Sequence, residues 1–187
     1  MGKEKKCTLY KKYTSYKKCI PYLILAGFTF FFCWWFVGRH GIFGAKVDWL
    51  SQHSVLPDYF RQQFYATGKI FPEFAPNLGG GQNIYHFAYY GLYSPLILPS
   101  YLLPFVKMSD YIMVISITGL TVSVLLFYYW LKSRKMDTGV AFIISLMFLL
   151  AGPMIGQYSG QIMFVDYMPF LLSLIHISEP TRQAEIS

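Results

Sequence analysis

Charge is scarce in this chain. Only 13% of its 187 residues are Asp, Glu, Lys or Arg, while 55% are hydrophobic and 20% aromatic. An ordinary soluble globule carries about 25% charged residues, so this composition excludes that class and points to a membrane protein. Acidic residues are scarcer still, nine against 16 Lys and Arg, for a formal charge of +7. That excess does not mark a nucleic-acid partner. Seven of the basic residues (Lys3, Lys5, Lys6, Lys11, Lys12, Lys17, Lys18) stand in the first eighteen positions, just ahead of an apolar run, which is the layout of a cytoplasmic membrane flank. Cysteine is limited to Cys7, Cys19 and Cys33. An odd number without metal spacing excludes a disulfide framework and a zinc site, and each reads as a small hydrophobe. Also missing are a nucleophile elbow, a Cys-His pair motif, a dinucleotide fingerprint, HExxH and a P-loop.

What is present is apolar sequence in blocks. Residues 1–19 form the basic tail. Ile20–Val37 (IPYLILAGFTFFFCWWFV) runs eighteen residues without a charge, close to the ~20 that cross a ~30 Å hydrocarbon layer. Trp34, Trp35 and Phe36 offer no small-residue cleavage site, so it is expected to be a retained anchor with a cytoplasmic N-terminus. Residues 38–88 form a polar-aromatic loop expected outside the cytoplasm. Within it Asp48–Thr67 is expected to be an interfacial helix broken near Pro57, with Trp49 and Leu50 seating it in the interface. FPEFAPNLGGGQN is expected to be loop. Tyr89–Val106 is apolar but holds three prolines, Tyr111–Leu131 is a cleaner helix, and Val140–Ile155 is another. The expected fold is an all-α integral membrane protein with about four transmembrane segments. If all cross, Lys132-Ser133-Arg134-Lys135 falls outside, against the positive-inside rule. A re-entrant 89–106 segment moves that loop inside. Full crossing is the expectation adopted.

The polar cluster KVDWLSQH (46–53) carries the candidate chemistry. Asp48 is either an N-cap for the helix starting at Trp49 or a general base for an acceptor hydroxyl. His53, five residues on, lies off the i+4 face of Asp48, so a metal pair is unsupported. A hydrogen-bonding or packing role is expected for it. Lys46, Arg61 and Lys69 are suited either to a lipid phosphate or to ordinary anionic head groups. Gly79-Gly80-Gly81 is read as a close-approach loop or a tight turn, and Gln82 and Asn83 carry amides able to read sugar hydroxyls. Asp166 is a further carboxylate beside apolar sequence. No metal is expected.

The last sixteen residues, LSLIHISEPTRQAEIS (172–187), turn abruptly polar. They resemble translated sequencing-adapter DNA, with Leu-Ser-Leu-Ile-His-Ile matching CTG TCT CTT ATA CAC ATC. They are therefore set aside as an artefactual tail, with the biological chain expected to continue beyond Leu171.

The order of basic tail, first helix, the DWLSQH and GGGQN-IY-F-YYGL-SP blocks, and the later QIMFVDYMPF over roughly residues 20–171 resembles the amino-terminal part of the YfhO family of bacterial membrane proteins. Members are much longer, with many more spans. The resemblance implies a multi-span glycosyltransferase of the GT-C class in the bacterial cell membrane. It would move a sugar from a polyprenyl-phosphate carrier to a cell-envelope polymer such as teichoic acid, on the extracytoplasmic side and without a cofactor. It places the catalytic carboxylate of the first external loop at Asp48; Lys46 and Arg61 could then reach the lipid phosphate, and the amides of Gln82 and Asn83 remain the candidates for the sugar. Membrane lipid, the lipid-linked sugar and the polymer acceptor are the partners implied, and no nucleic acid. A non-enzymatic lipid-carrier flippase or polymer transporter is the alternative, and the 187-residue piece alone is expected to be inactive.

Overall fold

The computed structural model describes the backbone of residues 2–40, 48–154 and 167–186, and the side chains of residues 18–39, 48–154 and 167–178. Helix α1 (Gly2–His40) carries the basic tail straight into the first apolar run. A π turn (Trp49–His53) leads into α2 (Val55–Thr67). Strands β1 (Phe74–Ala75) and β2 (Gln82–Asn83) pair antiparallel. Two 3-10 turns follow (Ile84–Tyr90 and Leu98–Leu102). Then come α3 (Met108–Ser133), α4 (Thr138–Leu149) and α5 (Met168–Ile186).

Two stretches, Lys18–Arg39 and Met108–Ser133, are helical, long and apolar enough to cross a membrane. They lie antiparallel. Tyr22, early in α1, meets Tyr128, late in α3, edge to face with ring centroids 4.8 Å apart. Leu25, Cys33, Leu120, Val124, Tyr128, Leu131, Ala141 and Leu149 form the core between α1, α3 and α4. Four hydroxyls inside this bundle bond to their own helix, while the buried Ser116 Oγ has no partner among the described residues. Thr29, Thr121, Ser123 and Ser145 each donate to the carbonyl four residues back at 2.8 Å. A hydroxyl without water nearby is satisfied in this way at little expense. Leu23, Phe30, Trp34, Val114, Ile143 and Met147 face outward, as lipid-facing positions do.

Two expectations change here. Residues 89–106 form no membrane-length helix. Pro95, Pro99 and Pro104 remove backbone donors that a continuous helix needs, and the chain breaks into turns and the short 3-10 turn at Leu98–Leu102. It folds back onto the loop that precedes it. Arg61 binds the carbonyls of Leu103 and Val106, Tyr65 Oη donates to the Tyr101 carbonyl, and Phe64 stacks on Tyr101 at 5.1 Å. The Lys132–Lys135 loop lies at the same end of the bundle as Lys18, with Lys18 and Lys132 lining one cavity. Second, α4 has 12 residues, about 18 Å at 1.5 Å per residue, and by itself falls short of a ~30 Å layer. Helix α5 continues through residues 168–186, so the set-aside tail is helical with the rest.

The α3–α4 connection is a Schellman turn. Met136 N–H reaches the Leu131 carbonyl and Lys135 N–H the Lys132 carbonyl, with Lys135 at φ 59°. A left-handed residue with a Cβ costs about 1 kcal/mol relative to glycine. Lys135→Gly is therefore expected to stabilise the bundle by about that amount, read as a higher thermal midpoint in detergent.

Candidate functional site

The candidate site grows from one irregular turn. Where an α-helix was expected from Asp48, the chain makes a π turn. Both the backbone N–H (3.0 Å) and the hydroxyl (2.8 Å) of Ser54 donate to the Trp49 carbonyl, five residues back. The two donors on one oxygen hold the widened turn. Trp49 anchors it from inside, 2% exposed and packed with Ile97, Met108 and Ile112 at the start of α3. Trp49 is thus a core residue and only Leu50 faces outward, a division the interfacial-helix reading did not make. The break comes at His53–Ser54 and not at Pro57, which sits in the first turn of α2, where its missing N–H has no helical partner to lose.

This turn changes the roles around Asp48. Asp48 makes no side-chain cap bond, so the capping role is not what the carboxylate does. In a π turn the hydrogen bond spans five residues, so positions five apart become neighbours. His53 is near enough to Asp48 for the carboxylate's charge to act on its ring. His53 is 3% exposed, and its Nδ1 has no hydrogen-bond partner among the described residues. Burial lowers its pKa below the ordinary histidine value and the Asp48 charge partly opposes that, which keeps the imidazole neutral at pH 7. Its ring lies 5.6 Å from that of Tyr90. Tyr90 Oη donates to Gln52 Oε1 at 2.6 Å, closing the cluster from the far side. Burial, and the charges of Tyr89 and Asp48, raise the Tyr90 pKa, so its hydroxyl keeps its proton.

Asp48, Gln52, His53 and Tyr90 thus make one partly open polar cluster whose buried floor is His53 and Trp49. A groove of about 270 Å³ opens beside it, between the start of α2 (Ser54, Asp58, Tyr59, Gln62) and the start of α3 (Met108, Ser109). Sequence reading left Gln52 and His53 unassigned and did not single out Tyr90. The signal for Tyr90 was the YYGL block itself, but its pairing with Gln52 spans 38 residues and has no local trace.

The other expected site residues are placed differently. Lys46 and Asp166 lie outside the described residues. Arg61 is 7% exposed. It binds Asp58 at 2.6 Å and the carbonyls of Leu103 and Val106 at 3.1 and 2.9 Å. Its guanidinium ties the returning segment to α2 and does not stand open for a lipid phosphate. Lys69 pairs with Glu73 at 3.4 Å on the surface. Asn83 Oδ1 accepts from Tyr85 N–H and caps the 3-10 turn, and Gln82 Oε1 lies 3.3 Å from His86 Nδ1. The glycines are a tight turn between β1 and β2, at φ 58°, 81° and 95°. At Gly79 an added Cβ would overlap the Gln82 amide, whereas Gly80 faces open space. Gly79→Ala is expected to destabilise the hairpin by about 1–2 kcal/mol and Gly80→Ala by the backbone term alone. Hydrogen exchange at Ile84 N–H, which bonds to the Glu73 carbonyl, reads the difference. Among the described residues no three His, Cys, Asp or Glu side chains converge on a common point.

No curated protein and no solved structure matches the chain. Residues 18–178 match the model of a family described as bacterial membrane protein YfhO. That match takes in both membrane-length helices and the whole Asp48 loop, and ends seven residues into the tail set aside at Leu172. With most of its length so matched, the chain belongs to the YfhO family of bacterial membrane proteins.

Proposed function

We propose that the full-length protein is a membrane glycosyltransferase of the GT-C type, in which Asp48 is the general base. The observation that carries this reading is the Asp48 carboxylate. It is free of any capping bond, partly exposed, and set in a polar cluster where the loop packs on the start of α3. The positive-inside rule puts the Lys18 and Lys132–Lys135 end in the cytoplasm. The Asp48 cluster then faces the extracytoplasmic side, where a polyprenyl-phosphate sugar presents its head group at the interface. The acceptor is a hydroxyl of a cell-envelope polymer such as teichoic acid.

In the reaction, Asp48 accepts the proton of the acceptor hydroxyl. The oxygen attacks the anomeric carbon, the bond from that carbon to the phosphate oxygen breaks, and polyprenyl phosphate leaves with the electron pair. The anomeric centre inverts. Neutral His53 and protonated Tyr90 add no net charge beside the base, so the carboxylate remains the single anionic group of the cluster. The scheme uses no metal and no organic cofactor. Lys46 stands as the candidate phosphate contact, and Gln82 and Asn83 act through the loop shape they maintain.

The reading is tested in membranes from cells with and without the full-length gene, supplied with a labelled polyprenyl-phosphate sugar. Label appearing in the envelope polymer only with the gene supports it. Equal labelling in both, or carrier crossing the membrane without any sugar transfer, overturns it in favour of a carrier or polymer transporter.

A further inference from the structure

We propose that the cavity between the Lys18 end of α1 and the Ser133 end of α3 binds the phosphate of an anionic glycerophospholipid. It lies about 36 Å along α3 from the Asp48 cluster, taking 1.5 Å per residue from Met108 to Lys132. It is therefore a separate site, and it does not depend on the transferase reading.

The cavity measures about 630 Å³, and its lining includes Lys18, Tyr22, Tyr129, Lys132, Ser133 and Thr138. None of the described side chains that line it is acidic. Lys132 is fixed in place: its Nζ donates to the Met136 carbonyl at 2.8 Å and to Thr138 Oγ1 at 2.9 Å. An ammonium has three donors, so one remains after those two. The nearby carboxylate, Asp137, is occupied at the start of α4. It accepts from the N–H groups of Gly139 and Val140, and these bonds hold its pKa low. Lys18 brings a second cation from the opposing helix and is exposed. Two lysines from two helices thus line one concavity with no acidic group among the described residues of its wall.

The walls choose the class of anion. The lysines stand where both membrane-length helices begin or end, which is the depth of lipid phosphates. Tyr22 and Tyr128 form the side of the cavity with their rings edge to face. Such rings have an apolar body and a polar tip, and they are favoured where glycerol and acyl chain meet. A soluble phosphate would use the lysines but leave the aromatic wall unfilled. A lipid fills both.

The test is titration of phosphatidylglycerol onto the purified full chain in detergent, with bound lipid counted by native mass spectrometry. Wild type is expected to retain phosphatidylglycerol over phosphatidylcholine. Lys18→Gln is expected to weaken retention about fivefold, the worth of one basic residue at an anionic surface, and Lys18→Arg to restore it. Lys18→Gln leaves the Lys132 bonds intact, so a loss is not a folding failure. Lys132→Gln, added to it, is expected to remove the preference. Equal retention of the two lipids overturns the proposal, as does a Lys18→Gln variant that binds like wild type. Full displacement of the lipid by millimolar inorganic phosphate assigns the site to a soluble anion and overturns it equally.

Discussion

Asp48→Asn is expected to abolish sugar transfer, by about 10²–10⁴-fold, with normal membrane level. Asparagine keeps the shape and the partial exposure of the residue but cannot take a proton at neutral pH. The π turn is held by Ser54 and Trp49 and not by the Asp48 side chain, so the substitution leaves the fold intact. That separates chemistry from structure at this position. Labelled sugar incorporated into the envelope polymer is the readout, with protein level measured in the same membranes. Unchanged incorporation in the variant rules out Asp48 as the base. As a companion, Ser54→Ala removes one of the two donors on the Trp49 carbonyl. It is expected to lower transfer without abolishing it, because the base remains while its setting loosens.

Arg61→Ala should be the most disruptive single change in the loop, by about 2–4 kcal/mol. The substitution leaves the carbonyls of Leu103 and Val106 without their donor and Asp58 without its partner. The upper part of the range is not reached if water covers Asp58, whose side chain is 33% exposed. What the arginine holds is a long-range closure, over 42 and 45 residues, so its loss frees the whole returning segment. Faster hydrogen exchange and protease cutting across residues 84–106, with α3 unchanged, is the expected pattern. Lys in its place restores charge toward Asp58 but not the planar fork that reaches two carbonyls as well, so Arg61→Lys is expected to recover only part of the loss. If Arg61→Ala leaves exchange across 84–106 as in wild type, the tie carries no stability.

Much of the fold was legible locally. The apolar runs at Ile20–Val37 and Tyr111–Leu131 marked the two long helices to within a few residues, because a membrane span is a property of composition and length. Gly68 at φ 71°, with its N–H on the Phe64 carbonyl, ends α2 as a glycine after a helix commonly does. Asp48 was visible as a carboxylate just beyond a span. Its surroundings were not. Whether it capped a helix depended on one turn, and the extra residue in that turn comes from a serine hydroxyl and a buried tryptophan acting together.

The prolines of residues 89–106 and the cations of Lys132–Lys135 were both visible, and each argued for a re-entrant segment. Read separately, neither outweighed an apolar length suited to crossing. How the segment folds is set by contact at a distance, from Arg61, Tyr65 and Phe64 to the backbone and ring they hold. Arg61 shows the same division: its charge is plain in the sequence, but whether it faces a phosphate or the chain's own carbonyls is set by where Leu103 and Val106 come to rest.

The sequence by itself determined that this chain lives in a membrane, where its two long helices run, and which family it belongs to, since these follow from composition, length and local blocks of residues. Only the tertiary structure decided which end each cationic loop shares, what surrounds Asp48 and what occupies Arg61. Those depend on hydrogen bonds and packing between residues far apart in the chain, from Gln52 and Tyr90 to Tyr22 and Tyr128, and no local pattern records them.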